Sequence, residues 1–292
     1  MRKIIILIPV YNDWESLKKL LLGINESIKF FHDVSFECLI VNDASTDQLP
    51  DLTIPDNLKS IEVLNMRENK GHARCNAFGI RYIFNNKEFD NLILMDGDGE
   101  DRPEEIKSLV EKIKENPNLS VVAKRVKRSE GLFFQSLYQL HKLITFIFTG
   151  QNVNFGHYSI LTRNDVEKLH SKASLWSSFS GSVKKNLMPL NEINSIRGSR
   201  YFGPSKMSLI KLIIHSLSII AVFKYNVFLR STLMIIVLAY LNSYLGIFTV
   251  LSQILIVIFN LTIFVVSLRE QKKKIELLSS NNNLENIKKI TH

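Results

Sequence analysis

Short apolar runs alternate with segments of helical period through the first 125 residues. Residues 3–10 form a β-rich apolar run. Residues 14–28 then place Leu17, Leu20, Leu21, Ile24 and Ile28 on one helical face, with Asn12 or Asp13 positioned to cap that helix. FECLIVND (36–43) and SIEVLNM (60–66) read as the next two strands, residues 72–84 as a helix, and NLILMD (91–96) as a fourth strand. Pro103, Glu104 and Glu105 suit the first turn of a further helix, because Pro needs no N–H there and carboxylates favour a helix N-terminus. LSVVAKR (119–125) is a fifth strand. Strands alternating with helices predict a parallel sheet covered on both faces, with ligands at the carboxyl ends of its strands. Residues 129–205 are less regular and predict loops with short helices.

The pattern changes at Met207. In MSLIKLIIHSLSIIAVFKY, Ser208, Lys211, His215 and Ser218 share one helical face and nearly everything else is apolar, which predicts an amphipathic helix lying in a membrane surface. Residues 231–268 then contain no Asp, Glu, Lys, Arg or His. As one helix these 38 residues would extend about 57 Å, against roughly 30 Å of bilayer hydrocarbon. Two helices turning within 246–252 fit better. Arg230 precedes the pair, and Arg269, Lys272, Lys273 and Lys274 follow it, so both ends are expected on the cytoplasmic side of a multi-pass inner-membrane protein. The expected divisions are 1–205, a soluble domain in the cytoplasm; 206–229, an amphipathic juxtamembrane segment; 230–269, two transmembrane helices; and 270–292, a polar cytoplasmic tail, mobile from Ser279.

Composition adds little to this. The 292 residues carry a formal charge of +9, which favours anionic partners without choosing among nucleic acid, lipid and phosphorylated substrates. Part of that charge flanks the apolar segments, and no aromatic-rich basic groove is evident, so nucleic acid is not expected as a partner. Cys38 and Cys75 have neither zinc-site nor redox-pair spacing and read as buried thiols. The opening MRKIIILIPVYNDWE has too short an apolar core, and no small-residue cleavage site, for a signal peptide.

The candidate chemistry lies in LILMDGDGEDRPEEI (92–106), where a buried-type strand runs into Asp96, Asp98, Glu100, Asp101, Glu104 and Glu105. Such crowding calls for a cation among the carboxylates. Asp96 and Asp98, one residue apart on a turn, suit a hard cation such as Mg²⁺ or Mn²⁺ shared with a substrate's phosphates.

Four motifs in order resemble the family 2 glycosyltransferases of GT-A fold: IPVYND, VNDASTD (41–47), NKGHARCNAFGIRY (69–82) and LILMDGDGEDRPEEI. The resemblance implies an α/β, Rossmann-like nucleotide-sugar domain. In it, Pro9, Tyr11, Asn12 and Asp43 hold the nucleotide, Asp96 lies against it, and Asp98 binds the metal. It extends to the membrane-anchored dolichyl- and polyprenyl-phosphate sugar transferases, whose "DxQDPPE" matches Glu100-Asp101-Arg102-Pro103-Glu104, with Glu100 in place of Gln as a second metal ligand. Arg125 and Arg128 match a basic pair after the fifth strand. NFGHYSILTRND (154–165) resembles "GDFRLL-R" with Ser159 where Arg is common, and RYFGPSKM (200–207) resembles "R-x-G-x-SKY". The resemblance thus puts Arg125, Arg128, Arg200, Ser205 and Lys206 near the acceptor phosphate and the diphosphate.

The implied reaction is inverting transfer of a sugar from a nucleotide-diphosphate sugar to polyprenyl phosphate, with Asp96, Asp98 and Asp101 as catalytic carboxylates. A lipid or sugar hydroxyl as acceptor is the rival, with Asp101 as its base. A third reading is a non-catalytic membrane scaffold that keeps the fold. His72 reads chiefly as part of a loop entering a helix, and His157 and His215 as structural. A homo-oligomer is compatible with the sequence, which fixes no stoichiometry.

Overall fold

The computed structural model describes residues 1–127, 132–203 and 208–291. Its elements run β1 (Arg2–Val10), α1 (Trp14–Ile28), β2 (Val34–Asn42), β3 (Leu58–Met66), α2 (His72–Asn86), β4 (Asn91–Leu94), a 3₁₀ turn (Pro103–Glu105), α3 (Ile106–Glu115) and β5 (Val121–Lys127). After these come α4 (Leu132–Thr149), β6 (Phe155–Thr162), α5 (Arg163–Leu169), α6 (Ala173–Ser177), α7 (Phe179–Asn186) and β7 (Asn191–Ile196). The chain ends with α8 (Leu209–Ala221), α9 (Lys224–Leu245), α10 (Ile247–Leu278) and β8 (Leu284–Thr291).

One eight-stranded sheet has the order β7-β5-β6-β4-β1-β2-β3-β8. Strands β4, β1, β2 and β3 are parallel, as the alternation predicts. β1 is apolar on both sides because helices cover both faces of the sheet. Ile4, Ile6, Ile8 and Val10 pack with α1 and α3, while Ile5 and Leu7 pack with residues of α2, α5 and α7. Two strands break the parallel pattern. β6 enters antiparallel between β4 and β5, and β8 pairs antiparallel with β3 along Ser60–Met66. The polar tail expected to be mobile is therefore a sheet strand. Its entry is fixed by the buried Leu277 and by Trp176, whose Nε1 donates to Glu276 Oε2 at 2.9 Å.

Residues 132–149 correct the expectation of irregular structure there: α4 is an 18-residue helix. Its last carbonyls accept from the start of α9, Ile147 O from Arg230 Nε at 2.8 Å and Thr149 O from Asn226 Nδ2 at 3.1 Å. A cation at a helix C-terminus opposes the dipole there, so Arg230 caps α4 besides flanking the apolar hairpin.

The hairpin itself matches its expectation. Lys224–Leu245 and Ile247–Leu268 are each 22 residues, long and apolar enough to cross a membrane, and both are mostly exposed. Their turn is Gly246 at φ +54°, a left-handed backbone that suits glycine. The preceding α8 leaves Ile210, Ile213 and Ile214 exposed, and buries Ser218, Ile219 and Ile220. Ser218 of its polar stripe is therefore turned toward the domain, while the apolar Ile210, Ile213 and Ile214 face outward.

Candidate active site

Every motif in the first half of the chain ends at the carboxyl edge of the parallel strands. After β1, Asn12 takes a left-handed conformation, φ +49°. Its amide N–H donates to Ser45 Oγ (2.9 Å), its Nδ2 to Thr46 Oγ1 (2.8 Å), and its Oδ1 accepts from Thr46 N (2.8 Å). Asn12 thus ties the loop after β1 to the loop after β2. Pro9 is the penultimate residue of β1 and pairs with Val41, and the Tyr11 side chain is exposed. Asp43 is buried, and its two oxygens accept from Lys70 N and Gly71 N, each at 2.8 Å. Asp43 therefore fixes the turn entering α2, where Gly71 stands at φ +89°, and through it the position of His72.

The acidic loop after β4 is braced from within and from outside. Asp96 N–H donates to Asp101 Oδ2 (3.0 Å), and Glu100 N–H to Asp98 Oδ1 (3.0 Å). The segment after β7 lies along this loop: Gly198 N–H donates to Glu100 O and Tyr201 N–H to Asp98 O, both at 2.9 Å. Gly99 sits at φ +89° beneath the Tyr201 ring, and a Cβ there would meet that ring at 2.7 Å.

The cations demanded by the sequence are mainly arginines. Arg200 bridges two carboxylates, Asp98 Oδ2 at 2.5 Å and Asp13 Oδ2 at 2.6 Å. Arg197 pairs with Glu100. Arg125 approaches Asp101 Oδ1 at 3.5 Å. Asp96 has a different neighbour, His72, with Nε2 3.1 Å from Oδ1. The His72 ring meets His157 edge-on at 4.6 Å between centroids, and His157 stacks on Phe179 at 5.5 Å.

These neighbours drive the carboxylates apart in acidity. Burial opposes ionisation of Asp96, but the charge and hydrogen bond of His72, with His157 and Arg125 behind, hold it well below the usual carboxylate range. Burial and then the Asp96 charge push Asp98 up to about 6 and Asp101 up to about 7. Burial favours neutral His72, yet Asp96 beside it raises its pKa overall, while burial and the His72 charge keep His157 well below the ordinary value.

Asp101 holds its proton more tightly folded than unfolded, where a carboxyl titrates near 3.9. Its contribution to stability is complete below about pH 4 and is lost as pH rises toward 7. Asp101→Asn keeps an acceptor for Asp96 N–H and removes that ionisation. The melting midpoint of the wild type is expected to fall relative to Asp101→Asn between pH 5 and pH 8, by several degrees, corresponding to about 2 kcal/mol. Parallel midpoint curves in differential scanning fluorimetry would contradict the burial assigned to this carboxyl.

The expected site residues therefore divide. Asp96, Asp98, Glu100, Asp101, Arg125 and Arg200 come together at one strand-end cluster, with Asp43 and Asn12 beside it as loop anchors. Arg128, Ser205 and Lys206 lie outside the described residues. Asp101, expected as a base, is only 3% exposed and faces Asp96 N–H and Arg125, which is the placement of a brace. Asp98 and Glu100, expected to hold metal, each engage an arginine in this structure. His72, Asp96 and His157 also bring one nitrogen or oxygen each within 4.8 Å of one another. Asp13, Arg197 and both histidines were missed as site residues. The Arg-Gly-Ser-Arg spacing of 197–200 was the one local signal available.

Comparisons with known proteins agree with this geometry. Undecaprenyl-phosphate 4-deoxy-4-formamido-L-arabinose transferases from Yersinia enterocolitica and Serratia proteamaculans are each 28% identical over 221 residues, covering 73% of this chain and 65% of theirs. The matched region is thus just under two thirds of those relatives. Among solved structures, glucosyl-3-phosphoglycerate synthase from Mycobacterium tuberculosis, in complex with Mn²⁺, UDP-glucose and phosphoglyceric acid, is similar at TM-score 0.53 with 16% identity, over 77% of this chain and 80% of that one. Mannosyl-3-phosphoglycerate synthase from Rubrobacter xylanophilus is similar at TM-score 0.54 with 13% identity, over 76% of this chain and 72% of that one. At such identities these structures speak for a shared GT-A fold. Residues 5–177 match the model of glycosyl transferase family 2, and with strand-end carboxylates on this fold, the chain belongs to that family.

Proposed function

We propose that this protein transfers a sugar from a nucleotide-diphosphate sugar to polyprenyl phosphate, as an inverting transferase at the cytoplasmic face of a membrane. The observation that carries the reading is the packing of the helix that precedes the hairpin onto the domain. Ile219, Val222 and Phe223 at the end of α8 pack with Val153 beside β6. Lys185 of α7 donates to Val222 O at 2.9 Å. A helix with exposed Ile210, Ile213 and Ile214 on its outer side therefore packs on the domain beside β6 and α7. That arrangement supports chemistry carried out close to a lipid surface.

An acceptor phosphate oxygen is anionic near neutral pH and attacks the anomeric carbon as the bond to the nucleoside diphosphate breaks. No general base is required. Burial of Asp101 supports this acceptor over a hydroxyl, which needs one. Arg125 would orient the acceptor phosphate, joined by Arg128, Ser205 and Lys206. Arg200 and Arg197 hold Asp98 and Glu100 in place. Pro9, Tyr11 and the loops anchored by Asn12 and Asp43 would receive the nucleotide. A divalent cation at the cluster would supply positive charge to the departing diphosphate. The hairpin α9–α10 would anchor the domain, with Arg230 at its start and Arg269, Lys272, Lys273 and Lys274 at its end on the cytoplasmic side of the inner membrane.

The reading is tested with purified full-length protein, undecaprenyl phosphate or undecaprenol, and a panel of UDP- and GDP-sugars. A glycolipid is expected from the phosphate alone. Glycosylated undecaprenol would establish the hydroxyl acceptor instead. Absence of both in folded protein, across the panel, would favour a scaffold.

A further inference from the structure

β8 is the last strand of the chain, yet its hydrogen bonds reach toward the loops that begin the site. α10 is one unbroken helix from Ile247 to Leu278, so it leaves the apolar hairpin and runs on to the domain. There Leu277 is buried, Glu276 accepts from Trp176, and the chain turns through Asn283 into β8. No side chain of β8 is fully buried. The strand therefore adds little apolar stabilisation to the sheet. Its side-chain hydrogen bonds go to two places.

The first is the crossing from β3 to α2. Glu68 N–H donates to Asn283 Oδ1 (3.1 Å), and Asn283 Nδ2 donates back to Glu68 O (3.0 Å). Arg67 N–H donates to Asn283 O at 2.8 Å. At the other end of this short crossing, Asp43 accepts from Lys70 N and Gly71 N. Asn283 and Asp43 thus hold the loop between them.

The second is a row of asparagines. Asn42, Asn65 and Asn286 are register partners across β2, β3 and β8, at the carboxyl ends of the two parallel strands. Asn65 Nδ2 donates to Asn286 Oδ1 (2.7 Å), Asn42 Nδ2 to Asn65 Oδ1 (2.8 Å), and Ser45 N–H to Asn42 Oδ1 (3.0 Å). Ser45 Oγ in turn accepts from Asn12 N–H at 2.9 Å. An amide accepts on one side and donates on the other, so an acceptor at Asn286 and a backbone donor at Ser45 give the whole row one direction. Asparagine is disfavoured in strands, and three side by side are accounted for by this chain of bonds rather than by packing.

We propose that β8 is a positioning element for the nucleotide-diphosphate sugar: Asn283 and Asn286 hold the loops after β1, β2 and β3 in their receptive form, so the strand carried by the membrane hairpin sets nucleotide affinity. This rests on the transferase reading, which puts the nucleotide at Tyr11, Asn12 and Asp43. Loops ordered beforehand spare the ordering cost that binding would otherwise meet. Neither asparagine touches the substrate; both act through the loops.

The test uses full-length protein in detergent and two readouts: backbone hydrogen exchange without ligand, and titration with UDP and GDP in buffer containing Mn²⁺. In the double variant Asn283→Ala/Asn286→Leu, exchange over residues 45–47 and 68–71 is expected to rise at least ~5-fold, with β1 unchanged. The nucleotide that binds the wild type should bind this variant about 10-fold more weakly, each lost hydrogen bond contributing a part. Asn286→Asp should stay within about twofold of the wild type, because its carboxylate still accepts from Asn65, whereas Asn286→Leu should not. Lys288→Ala, exposed two positions along the same strand, should change neither readout. Should the double variant fail to fold, the two single variants carry the same comparison. Unchanged loop exchange, or unchanged nucleotide affinity, in folded variants would overturn the proposal. So would equal losses in Asn286→Asp, Asn286→Leu and Lys288→Ala, which would make β8 a structural strand only. Folded wild type that binds neither nucleotide would count against the transferase reading, and the exchange data would still decide whether β8 braces these loops.

Discussion

Asp96→Asn is expected to lower sugar transfer about 10³-fold while the protein stays folded, equivalent to roughly 4 kcal/mol of transition-state stabilisation. Asp96 carries the charge of the cluster, because His72 favours its ionised form while Asp98 and Asp101 are pushed the other way. The amide isostere keeps the shape and the backbone bond to Asp101, and removes only the charge and one anionic ligand oxygen. Folding should change little, since the lost attraction to His72 is offset by relief of repulsion from Asp98 and Asp101. On the proposed reading this charge lies near the breaking bond, so the loss should appear in kcat. Steady-state kinetics with matched melting curves checks this. Activity within threefold of wild type would remove Asp96 from the chemistry.

Arg200→Ala is expected to be the most damaging single change to the brace of the site. Arg200 joins Asp98 on the acidic loop to Asp13 at the start of α1, and its side chain is 16% exposed. Removal leaves two carboxylates facing each other beside Asp96. Breaking a fully buried pair costs about 3–5 kcal/mol. Residual solvent at these side chains reduces that to roughly 2 kcal/mol. Transfer should fall at least ~100-fold, because the 197–203 segment then keeps only the Arg197–Glu100 pair as a side-chain ion link to the acidic loop, and Asp98 loses its tie to Asp13. Arg200→Lys separates charge from geometry: one ammonium cannot reach both partners with the planar fork of a guanidinium. The lysine variant should regain much of the melting temperature and little of the activity. Equal recovery of both would mean that Arg200 contributes charge alone.

The parallel centre of the sheet was legible because β1, β2, β3 and β4 carry continuous apolar runs with polar residues at their ends. The hairpin was legible because its composition admits few other solutions. β6 and β8 were not, since an antiparallel strand between β4 and β5, or at the β3 edge, depends on partners distant in sequence. β8 is polar on both sides and has no strand-like alternation. For α4, periodicity was obscured by apolar residues that serve two environments: Ile144 and Phe148 pack against the hairpin, while Leu140, Leu143 and Phe146 face outward.

The site shows the same division. Asp96, Asp98 and Arg200 were found because motifs mark them. Arg197 and Asp13 matter through contacts made across 97 and 187 residues of sequence, and no local pattern announces such pairs. Asp43 and Asn12 were expected at the nucleotide, and the structure shows both fixing loops beside the carboxylate cluster. The histidines were set aside individually, because a lone His is uninformative. Their proximity to one carboxylate is a property of the folded sheet.

The most direct measurement is the mass of the lipid product formed from undecaprenyl phosphate and the preferred nucleotide sugar. The account predicts the mass of the lipid phosphate plus one sugar residue, with one nucleoside diphosphate released for each product. A sugar attached to a lipid or glycan hydroxyl, or nucleoside diphosphate released with no change in the lipid phosphate, would contradict it.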